Sequence, residues 1–529
     1  MPTDAVVKSV MTVKQLLNQL SKDVGIARLT DKISERVNLM RREPIEYEII
    51  RSLAYVSYGD SVVPLFRGYP MPVMFNRELM LDVTRKSIDW LVDNMNEDGS
   101  FLYYYDPVRD TIIDHEHPRM VDPPYNNILR HSGGIITLLH GYQLAAGDER
   151  YLDAAAKGID FLLSTFREHS YRGEYACYPF FNNKSKLGGA GIGLVALMHY
   201  TMKSGSENYR KEIEGLVRHI LSRIDSDGEM IGYYIHPKFN GGEPIIEPED
   251  DVKKELFSFY YPGEALLGLA LYYHYFSGAD EVLRQEVLTQ SEAALDFLVD
   301  VRPVKYHYLF DVLPADAWLM QAIEEWVKVE ALKKKSYIDF VFGDTQKMFD
   351  HMYHDKDDCE FDYIGGYYYN YGDHVYHDAS RNEGVMAAYH LAQFLGDEAR
   401  AEKIMKHMLL SAKGLMHTFH SETSTYAHID PSRVLHSFRF KLTRQWVRVD
   451  SVQHTACFFS RLYATSFSPQ QVRSALYHEN DVDMVYEDPE VGEEPFIRFL
   501  TGLQRATVRR RGRRSLSFQS SCQVSRYLN

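Results

Sequence analysis

Residues 259–276 read FYYPGEALLGLALYYHYF, and this stretch decides the fold. After the tyrosines and a Pro-Gly turn it runs as an apolar segment with almost no polar face, which is typical of a helix buried on all sides. Proline near the first helical position and an acid, Glu264, in the first turn are common signals of a helix start. We therefore predict an enclosed helix that begins near Tyr261 and directs its polar first turn at a pocket.

Five more apolar segments of this kind recur along the chain, and each follows an amphipathic segment. The six apolar helices are predicted to start near residues 131, 188, 261, 316, 381 and 450. Regular repetition of helix pairs indicates one architecture built from repeated units. Because buried helices alternate with amphipathic ones, the pattern predicts two concentric layers, which for six pairs is an all-α (α/α)6 toroid.

The links between the predicted helices are asymmetric. Apolar helices lead to amphipathic ones through short links such as AAGDERY (145–151). The reverse links are long and rich in Tyr, His, Asn and Asp, and segments such as GGYYYNYG (365–372) are predicted to form short hairpins. Long loops in a compact domain usually carry function. All of them lie where the inner helices begin, so that end is the predicted binding mouth.

Composition restricts the possible partners and the compartment. The formal net charge of −15 argues against nucleic acid as a partner. No apolar run is long enough for a membrane span, and no signal-peptide segment is visible, so we expect a cytoplasmic protein. The 4 cysteines form no CxxC pair, which predicts neither a disulfide framework nor a zinc site. No cofactor is expected, and the oligomeric state stays open.

Three regions are predicted along the chain. Residues 1–76 form an N-terminal helical cap or wrap, residues 77–465 form the toroid, and residues 466–529 form a C-terminal extension. The extension contains a basic run at 505–514 and is expected to be partly disordered.

Several motifs resemble the six-hairpin glycosidase-like superfamily over roughly residues 77–465. They are the order of the repeats, the turns NEDGSF (96–101) and DSDGEM (225–230) after outer helices, and YPGEALLGLALYY (261–273). The resemblance implies a sugar or oligosaccharide substrate and an active site in the funnel at the starts of the inner helices. The superfamily includes glycoside hydrolases, unsaturated-glucuronyl hydrolases, polysaccharide lyases and the N-acylglucosamine 2-epimerase group.

Carboxylates recur at the starts of the predicted inner helices and support a first hypothesis, hydrolysis of a glycosidic bond. This reaction uses a pair of carboxyl groups, and Glu264, Glu383 and either Asp378 or Asp450 could supply them. Each has an ordinary structural alternative, because acids at these positions also cap helices.

Histidines support a second hypothesis, a sugar epimerase or isomerase. Histidine usually titrates near neutral pH, so His131 and His454 could remove and return a proton on opposite sides of a sugar. His131 could equally satisfy loop carbonyl groups. A third hypothesis is a non-catalytic toroid that binds a glycan or a protein, because a fold alone does not determine function.

Polar and aromatic residues of the same loops are expected to bind the substrate. Arg130 could hold a carboxylate, and Trp446 offers a surface on which a sugar ring can stack. The segment DHEHPR (114–119) could bind a metal through Asp114, His115 and His117, but alternating positions on a loop are poor evidence for a site, so no metal is predicted. The predicted substrate-binding set comprises Tyr104, Asn127, Arg130, Tyr260, Tyr261, Arg381, Asn382 and Trp446.

Overall fold

The computed structural model describes residues 13–23, 25, 30, 32–42, 54–70, 75–310, 315–354, 357, 359–369 and 375–476. Residues 1–472 form one compact unit, and a second unit begins at Arg473. The basic run at 505–514 and most of the predicted extension lie outside the described residues. Within the described residues, no helix has the length and apolarity that a bilayer crossing requires.

Twelve of the helices in the described residues form two layers that alternate along the chain. Even-numbered helices are inner and odd-numbered helices are outer. Their bounds are α1 Arg77–Asp93, α2 Ile128–Leu144, α3 Glu149–Ser164, α4 Leu187–Ser204, α5 Arg210–Leu221, α6 Tyr261–Tyr275, α7 Glu281–Asp296, α8 Ala317–Trp326, α9 Lys335–Asp350, α10 Ala379–Phe394, α11 Glu398–Met416 and α12 Val449–Ala464.

The inner helices form a closed ring. Each contacts the next in the order α2, α4, α6, α8, α10 and α12, and α12 returns to contact α2. The outer helices pack around this ring; α3, for example, lies against both α2 and α4. The predicted (α/α)6 toroid is thus confirmed, and the inner helices start at residues 128, 187, 261, 317, 379 and 449, close to the predicted positions.

Burial explains why the two kinds of helix take different layers. In α6, every residue from Pro262 to Tyr272 is buried, as expected for a helix enclosed by neighbours. In the outer helix α7, the buried positions Leu283, Val287 and Ser291 recur every fourth residue and form a single stripe. The uniformly apolar stretch around Glu264 therefore belongs to the ring itself.

Small residues let two inner helices approach at backbone distance. A Cβ atom at Gly191 of α4 would lie only 2.6 Å from the backbone nitrogen of Ala265 in α6. A Cβ atom at Gly268 would lie 3.0 Å from the carbonyl oxygen of Gly191. This close contact brings the first turns of α4 and α6 together at the mouth.

The turns NEDGSF and DSDGEM have the same structural role. Gly99 and Gly228 have φ values of 85° and 84°, a backbone conformation that glycine adopts readily. A Cβ atom at Gly99 would lie 2.2 Å from the carbonyl oxygen of Lys157 in α3, and one at Gly228 2.3 Å from that of Ala293 in α7. Each turn therefore packs onto the backbone of the next outer helix.

The strands in the described residues form short antiparallel pairings. The hairpin of β5 and β6 is one of the expected short hairpins, while GGYYYNYG (365–372) lies partly outside the described residues. The pairings are β1 Ala54–Tyr58 with β2 Ser61–Phe66, β2 with β3 Tyr69–Pro70, β4 Tyr104–Tyr105 with β9 Val447–Arg448, β5 Phe166–Tyr171 with β6 Glu174–Pro179, and β7 Ser185–Lys186 with β8 Tyr233–Ile235.

The remaining described helices are short or lie outside the ring. The N-terminal region, expected to be helical, contains two helices and the three-stranded sheet β1–β3 in its described parts. The α-helices are Val13–Asp23, Ile33–Arg42, Asp250–Glu255, Arg302–Lys305, His307–Phe310 and Pro469–Leu476; a π-helix spans Phe297–Val301, and 3-10 helices span Asn240–Gly242, Glu330–Leu332, Phe361–Tyr363 and Pro431–Arg433.

Candidate active site

The first turns of the inner helices meet at one end of the ring. Contacts between side chains of neighbouring helix starts join α10 to α12, α12 to α2, and the residue before α6 to α10. Polar residues at or near the starts of α2, α6, α10 and α12 therefore contact one another. This mouth is where the sequence predicted the binding site.

A histidine and a glutamate from adjacent helices form the closest acid–base pair at this end. Nδ1 of His454, on α12, lies 2.6 Å from Oε1 of Glu383, on α10. Burial by itself would lower the pKa of His454, but the hydrogen bond and negative charge of Glu383, assisted by Asp450 and Asp378, raise it above the usual value. The imidazole is therefore held in one orientation with its Nδ1–H donated to a carboxylate.

Asp450, one turn before His454, is neutralised by two arginines. Nε and Nη2 of Arg448 donate to its two carboxylate oxygens at 2.7 and 2.9 Å, and Nε of Arg130 lies 2.9 Å from Oδ2. Burial would raise the pKa of this carboxyl, but the two guanidinium groups hold it well below the ordinary value. Arg130 also donates to the hydroxyl of Tyr103. Asp450 is therefore a fixed anion.

Asp378 has a comparable arrangement at the start of α10. Its Oδ1 accepts the backbone N–H of Arg381 at 3.0 Å, which caps the helix, and its Oδ2 accepts from the hydroxyl of Tyr369 at 2.7 Å. Burial would raise its pKa, but the Arg381 guanidinium and these hydrogen bonds lower it. Nη2 of Arg381 donates to the hydroxyl of Tyr260 at 2.6 Å, which ties α10 to the segment before α6.

Glu264 differs from the other carboxyl groups because no cation pairs with it closely. It is buried, and its Oε2 has no hydrogen-bond partner among the described residues. Burial and the nearby Asp316 raise its pKa to about 8, against the opposing effect of Lys186. A Cβ atom at Gly188 would lie 2.0 Å from Oε2, so this glycine provides the space that the carboxyl group occupies. Glu264 is thus a protonated acid at neutral pH.

Lys186 immediately precedes α4, and its charge acts on this acid without an ion pair between the two side chains. Burial lowers its pKa to about 8, with smaller contributions from Lys184 and Arg130, while Glu264 opposes the shift. Its Nζ lies 6.0 Å from the ring centre of Tyr261. The mouth therefore contains two groups, an acid and an amine, that titrate within the range where enzymes work.

A cavity of about 230 Å³ lies inside the ring next to the histidine–glutamate pair. Glu383, Trp318 and Gln453 line it, together with His140 and His199. The ring of Trp318 lies 6.3 Å from that of His454. Of the pair, Glu383 lines this cavity, whereas His454 lines a smaller space together with Asp450.

Three of the predicted site residues point away from this group. Nε2 of His131 lies 2.8 Å from the carbonyl oxygen of Gly158 in α3, between the two layers, and burial lowers its pKa to about 4. The amide of Asn382 donates to Ser411 of α11 at 2.7 Å. Asn127 caps α2 by accepting the N–H of Leu129.

The two predicted stacking residues are packed against protein. The ring of Trp446 stacks on Phe440 with centres 4.1 Å apart and lies 5.3 Å from Tyr104. Both Trp446 and Tyr104 are buried. They support the β4–β9 pairing that positions Arg448, which then holds Asp450.

The sequence analysis missed Lys186, Arg448 and Trp318. Each stands at or just before the start of an inner helix, so the rule that these starts face the mouth would have found them. They are a lysine, an arginine and a tryptophan, whereas the predicted catalytic residues were all carboxylates and histidines.

The loop at 114–117 brings three possible metal ligands together. Ligand atoms of Asp114, Glu116 and His117 lie within 4.8 Å of one another, and Asp114 Oδ2 is 2.9 Å from His117 Nδ1. His115, which the sequence suggested as a ligand, is not part of this cluster.

Solved structures match about three quarters of the chain at low sequence identity. No family model and no curated protein matches the sequence. A D-mannose isomerase is 11% identical with a TM-score of 0.48 over 75% of this chain and 99% of its own. An unsaturated glucuronyl hydrolase specific for heparin is 12% identical with a TM-score of 0.48 over 74% and 98%. An α-1,6-mannanase from Salegentibacter is 12% identical with a TM-score of 0.46 over 73% and 99%.

These neighbours are carbohydrate-active enzymes that include hydrolases and epimerases or isomerases.

Proposed function

We propose that the mouth catalyses proton transfer on a sugar, at the carbon next to a carbonyl group, as an epimerase or isomerase does. The observation that carries this proposal is the 2.6 Å contact between His454 Nδ1 and Glu383 Oε1. Because Glu383 accepts the Nδ1 proton, Nε2 of His454 is left to accept a proton from the substrate. A carboxylate-oriented imidazole of this kind is a strong general base.

Glu264 is proposed as the acid that works with this base. Its raised pKa, about 8, keeps it protonated at neutral pH. In the order of the ring, α6 and α12 stand on opposite sides, three helices apart in either direction. A proton carrier on each side of a substrate suits a reaction in which one group removes a proton and another supplies one.

The proposed reaction consists of two proton transfers that form an enediol and two that convert it to product. Nε2 of His454 takes the proton from C2 of an open-chain aldose, and the C2–H electron pair forms a C1=C2 double bond. The carbonyl oxygen at C1 receives the proton of Glu264, which gives an enediol and leaves a carboxylate. For the ketose, protonated His454 returns its proton to C1 while the O2 proton passes to the Glu264 carboxylate. For the epimer, the enediol presents its other face to His454, which returns the proton to C2 while the O1 proton passes back to Glu264.

The charges at the mouth favour this chemistry over a pair of catalytic carboxylates. Asp450 is held by Arg448 and Arg130, and Asp378 is held by Arg381. Neither is a free base or nucleophile of the kind that glycoside hydrolysis uses. Glu383 is the partner of His454.

Hydrolysis of a glycosidic bond is the second candidate, and one observation favours it. A carboxylic acid that stays protonated at neutral pH, as Glu264 does, is what protonates the leaving oxygen in that reaction. The base that activates water would then be the pair of His454 and Glu383.

The aromatic residues of the mouth support a sugar as the substrate. Tyr103 and Tyr125 lie with ring centres 5.1 Å apart, and Tyr233 and Tyr261 lie 5.9 Å apart. Such side chains combine flat apolar faces with hydroxyl groups, which matches the two kinds of surface on a sugar ring.

The test is proton NMR of sugars incubated with the protein in D2O. A panel of reducing hexoses and disaccharides is followed for loss of the H2 signal and for new epimer or ketose signals. We expect exchange with at least one sugar, loss of exchange in His454→Asn and Glu264→Gln, and full activity in His307→Asn. His307 is an exposed histidine outside the mouth and serves as the matched control.

Two other outcomes of this experiment would indicate a different function. Release of new reducing ends from oligosaccharides, without deuterium in the recovered sugar, would replace the proposal by hydrolysis. Saturable sugar binding without any turnover would favour a non-catalytic toroid.

A further inference from the structure

A cavity of about 320 Å³ lies outside the ring, between the N-terminal sheet and two outer helices. Phe66 and Tyr69 of the sheet line one side, Leu79 and Val83 of α1 line another, and Met416 at the end of α11 closes it. A volume of this size is at the lower end of the range for small-molecule sites. None of the mouth residues discussed above lines it.

Arg439 is a buried cation in the wall of this cavity. The residue is only 2% exposed. Its Nη2 donates to the carbonyl oxygen of His417, and its guanidinium lies over the ring of Tyr69, 3.5 Å from the ring centre. Its Nε and Nη1 atoms are buried without a hydrogen-bond partner among the described residues. Because unpaired N–H groups of a buried cation are costly, a ligand that accepts from them is favoured.

Two acids of the wall are paired with cations, Asp362 with Arg67 and Asp82 with Lys86. A third acid, Glu422, lies 3.6 Å from His436, a histidine that is charged only when protonated. Arg439 differs, since no described carboxylate lies within ion-pair distance of it. Among the described residues of the wall, Arg439 is therefore a cation without a paired carboxylate.

Further polar groups stand beside the guanidinium. The hydroxyl of Tyr69 is buried and has no hydrogen-bond partner among the described residues. The loop after α11 adds the hydroxyl groups of Ser421, Thr423 and Ser424 to the lining. Hydroxyl donors around a planar guanidinium are a common setting for carboxylate and phosphate groups.

We propose that this cavity binds a small organic anion. Its carboxylate or phosphate group pairs with Arg439, and its body packs against Tyr69, Val83 and the other apolar side chains of the wall. The stacked ring of Tyr69 holds the guanidinium flat, which preserves its geometry for an oxyanion. This cavity is separate from the mouth, although Arg439 also lines a smaller space together with Asp450 and His454.

The test is calorimetric titration of the full chain with four probes. They are inorganic phosphate, glucose 6-phosphate, glucuronate and glucose, which separate phosphate from carboxylate and charged from neutral ligands. We expect saturable binding of at least one anionic probe, weakened about tenfold or more by Arg439→Gln because charge-assisted hydrogen bonds are lost. Arg433→Gln, at an exposed arginine on a nearby turn, should bind like the unmodified protein.

A second variant keeps the proposal testable if Arg439→Gln does not fold. Leu79→Trp narrows the cavity from a half-buried position on α1 and should weaken the same binding. Anion binding that survives in folded Arg439→Gln would overturn the proposal. So would the absence of saturable binding by all three anionic probes.

Discussion

Nδ1 of His454 and Oε1 of Glu383 lie 2.6 Å apart across the contact between α12 and α10. This pair joins two helices that are far apart in sequence and gives an imidazole a fixed orientation. The carboxylate raises the histidine pKa against the effect of burial. The proposed chemistry depends on this relationship, and the first prediction tests it.

Replacing Glu383 should change the pH at which the histidine titrates. Without the carboxylate, burial dominates and the pKa of His454 falls, so the acid limb of the pH–rate profile moves to lower pH in Glu383→Gln. His454→Asn should lower kcat by roughly 10²–10⁴, the usual contribution of a general acid or base. Both are measured as kcat against pH with the sugar that shows exchange, and His307→Asn is the control. An unmoved acid limb in Glu383→Gln would contradict the role given to this pair.

Glu264 should make the stability of the protein depend on pH. Its folded pKa, about 8, is above the ordinary value of 4.5, so its contribution to stability is complete below about 4.5 and is lost as pH rises towards 8. Glu264→Gln does not undergo this loss. The free energy of unfolding of the variant, relative to that of the unmodified protein, should therefore be roughly 3 kcal/mol larger at pH 8.5 than at pH 5.5, which means that the variant is relatively more stable at the higher pH.

Urea unfolding at the two pH values measures this difference. Glu255→Gln, at an exposed acid of the short helix Asp250–Glu255, is a matched control and should show no comparable pH dependence. An equal effect of Glu264→Gln at both pH values would mean that Glu264 titrates normally in the fold.

Arg448 should matter for stability because it neutralises a buried carboxylate. Arg448→Met leaves Asp450 with Arg130 as its nearest cation, and we expect a loss of about 3 kcal/mol in the free energy of unfolding at pH 7. The double variant Arg448→Met with Asp450→Asn should recover part of this loss, since the unpaired charge is gone. Urea unfolding of Arg448→Met, Asp450→Asn and the double variant, compared with the unmodified protein, gives a double-mutant cycle that measures this coupling. A double variant no more stable than Arg448→Met would show that the carboxylate is not the source of the cost.

Gly228 should tolerate alanine less well than another glycine with positive φ. Gly205 has a φ of 69° and open space at the Cβ position, so Gly205→Ala should cost about 1 kcal/mol through the backbone conformation alone. Gly228→Ala has the same conformational cost, and its Cβ would also lie 2.3 Å from the carbonyl oxygen of Ala293. We therefore expect Gly228→Ala to lower the free energy of unfolding by more than about 2 kcal/mol. Equal costs in thermal or urea unfolding would argue against the packing of this turn on α7.

Helix geometry explains which site residues could be predicted. Asp450 and His454 are four residues apart and share a face of α12, as their spacing implies, and both face the mouth. Arg130 and His131 are neighbours, and successive residues on a helix point about 100° apart. Arg130 therefore reaches Asp450, while His131 turns to the outer layer and contacts Gly158. The direction in which one side chain points depends on the rotation of its helix about the helix axis, and the sequence did not give this rotation for α2.

By itself, the sequence determined the layers and their order. The apolar run from Ala265 to Tyr272 is stable only when enclosed, and the six apolar segments that alternate with amphipathic helices require a ring inside a shell. These are local properties of composition and periodicity, so they can be recognised in the amino-acid sequence alone.

Only the tertiary structure decided which charges meet. Closure of the ring brings Glu383 to His454 and Arg130 to Asp450, and it leaves Glu264 without a close cation. Protonation states follow from burial and from charges a few ångströms away, which come from distant parts of the chain. The roles of the acids at the mouth are therefore set by packing, although their presence there was predictable.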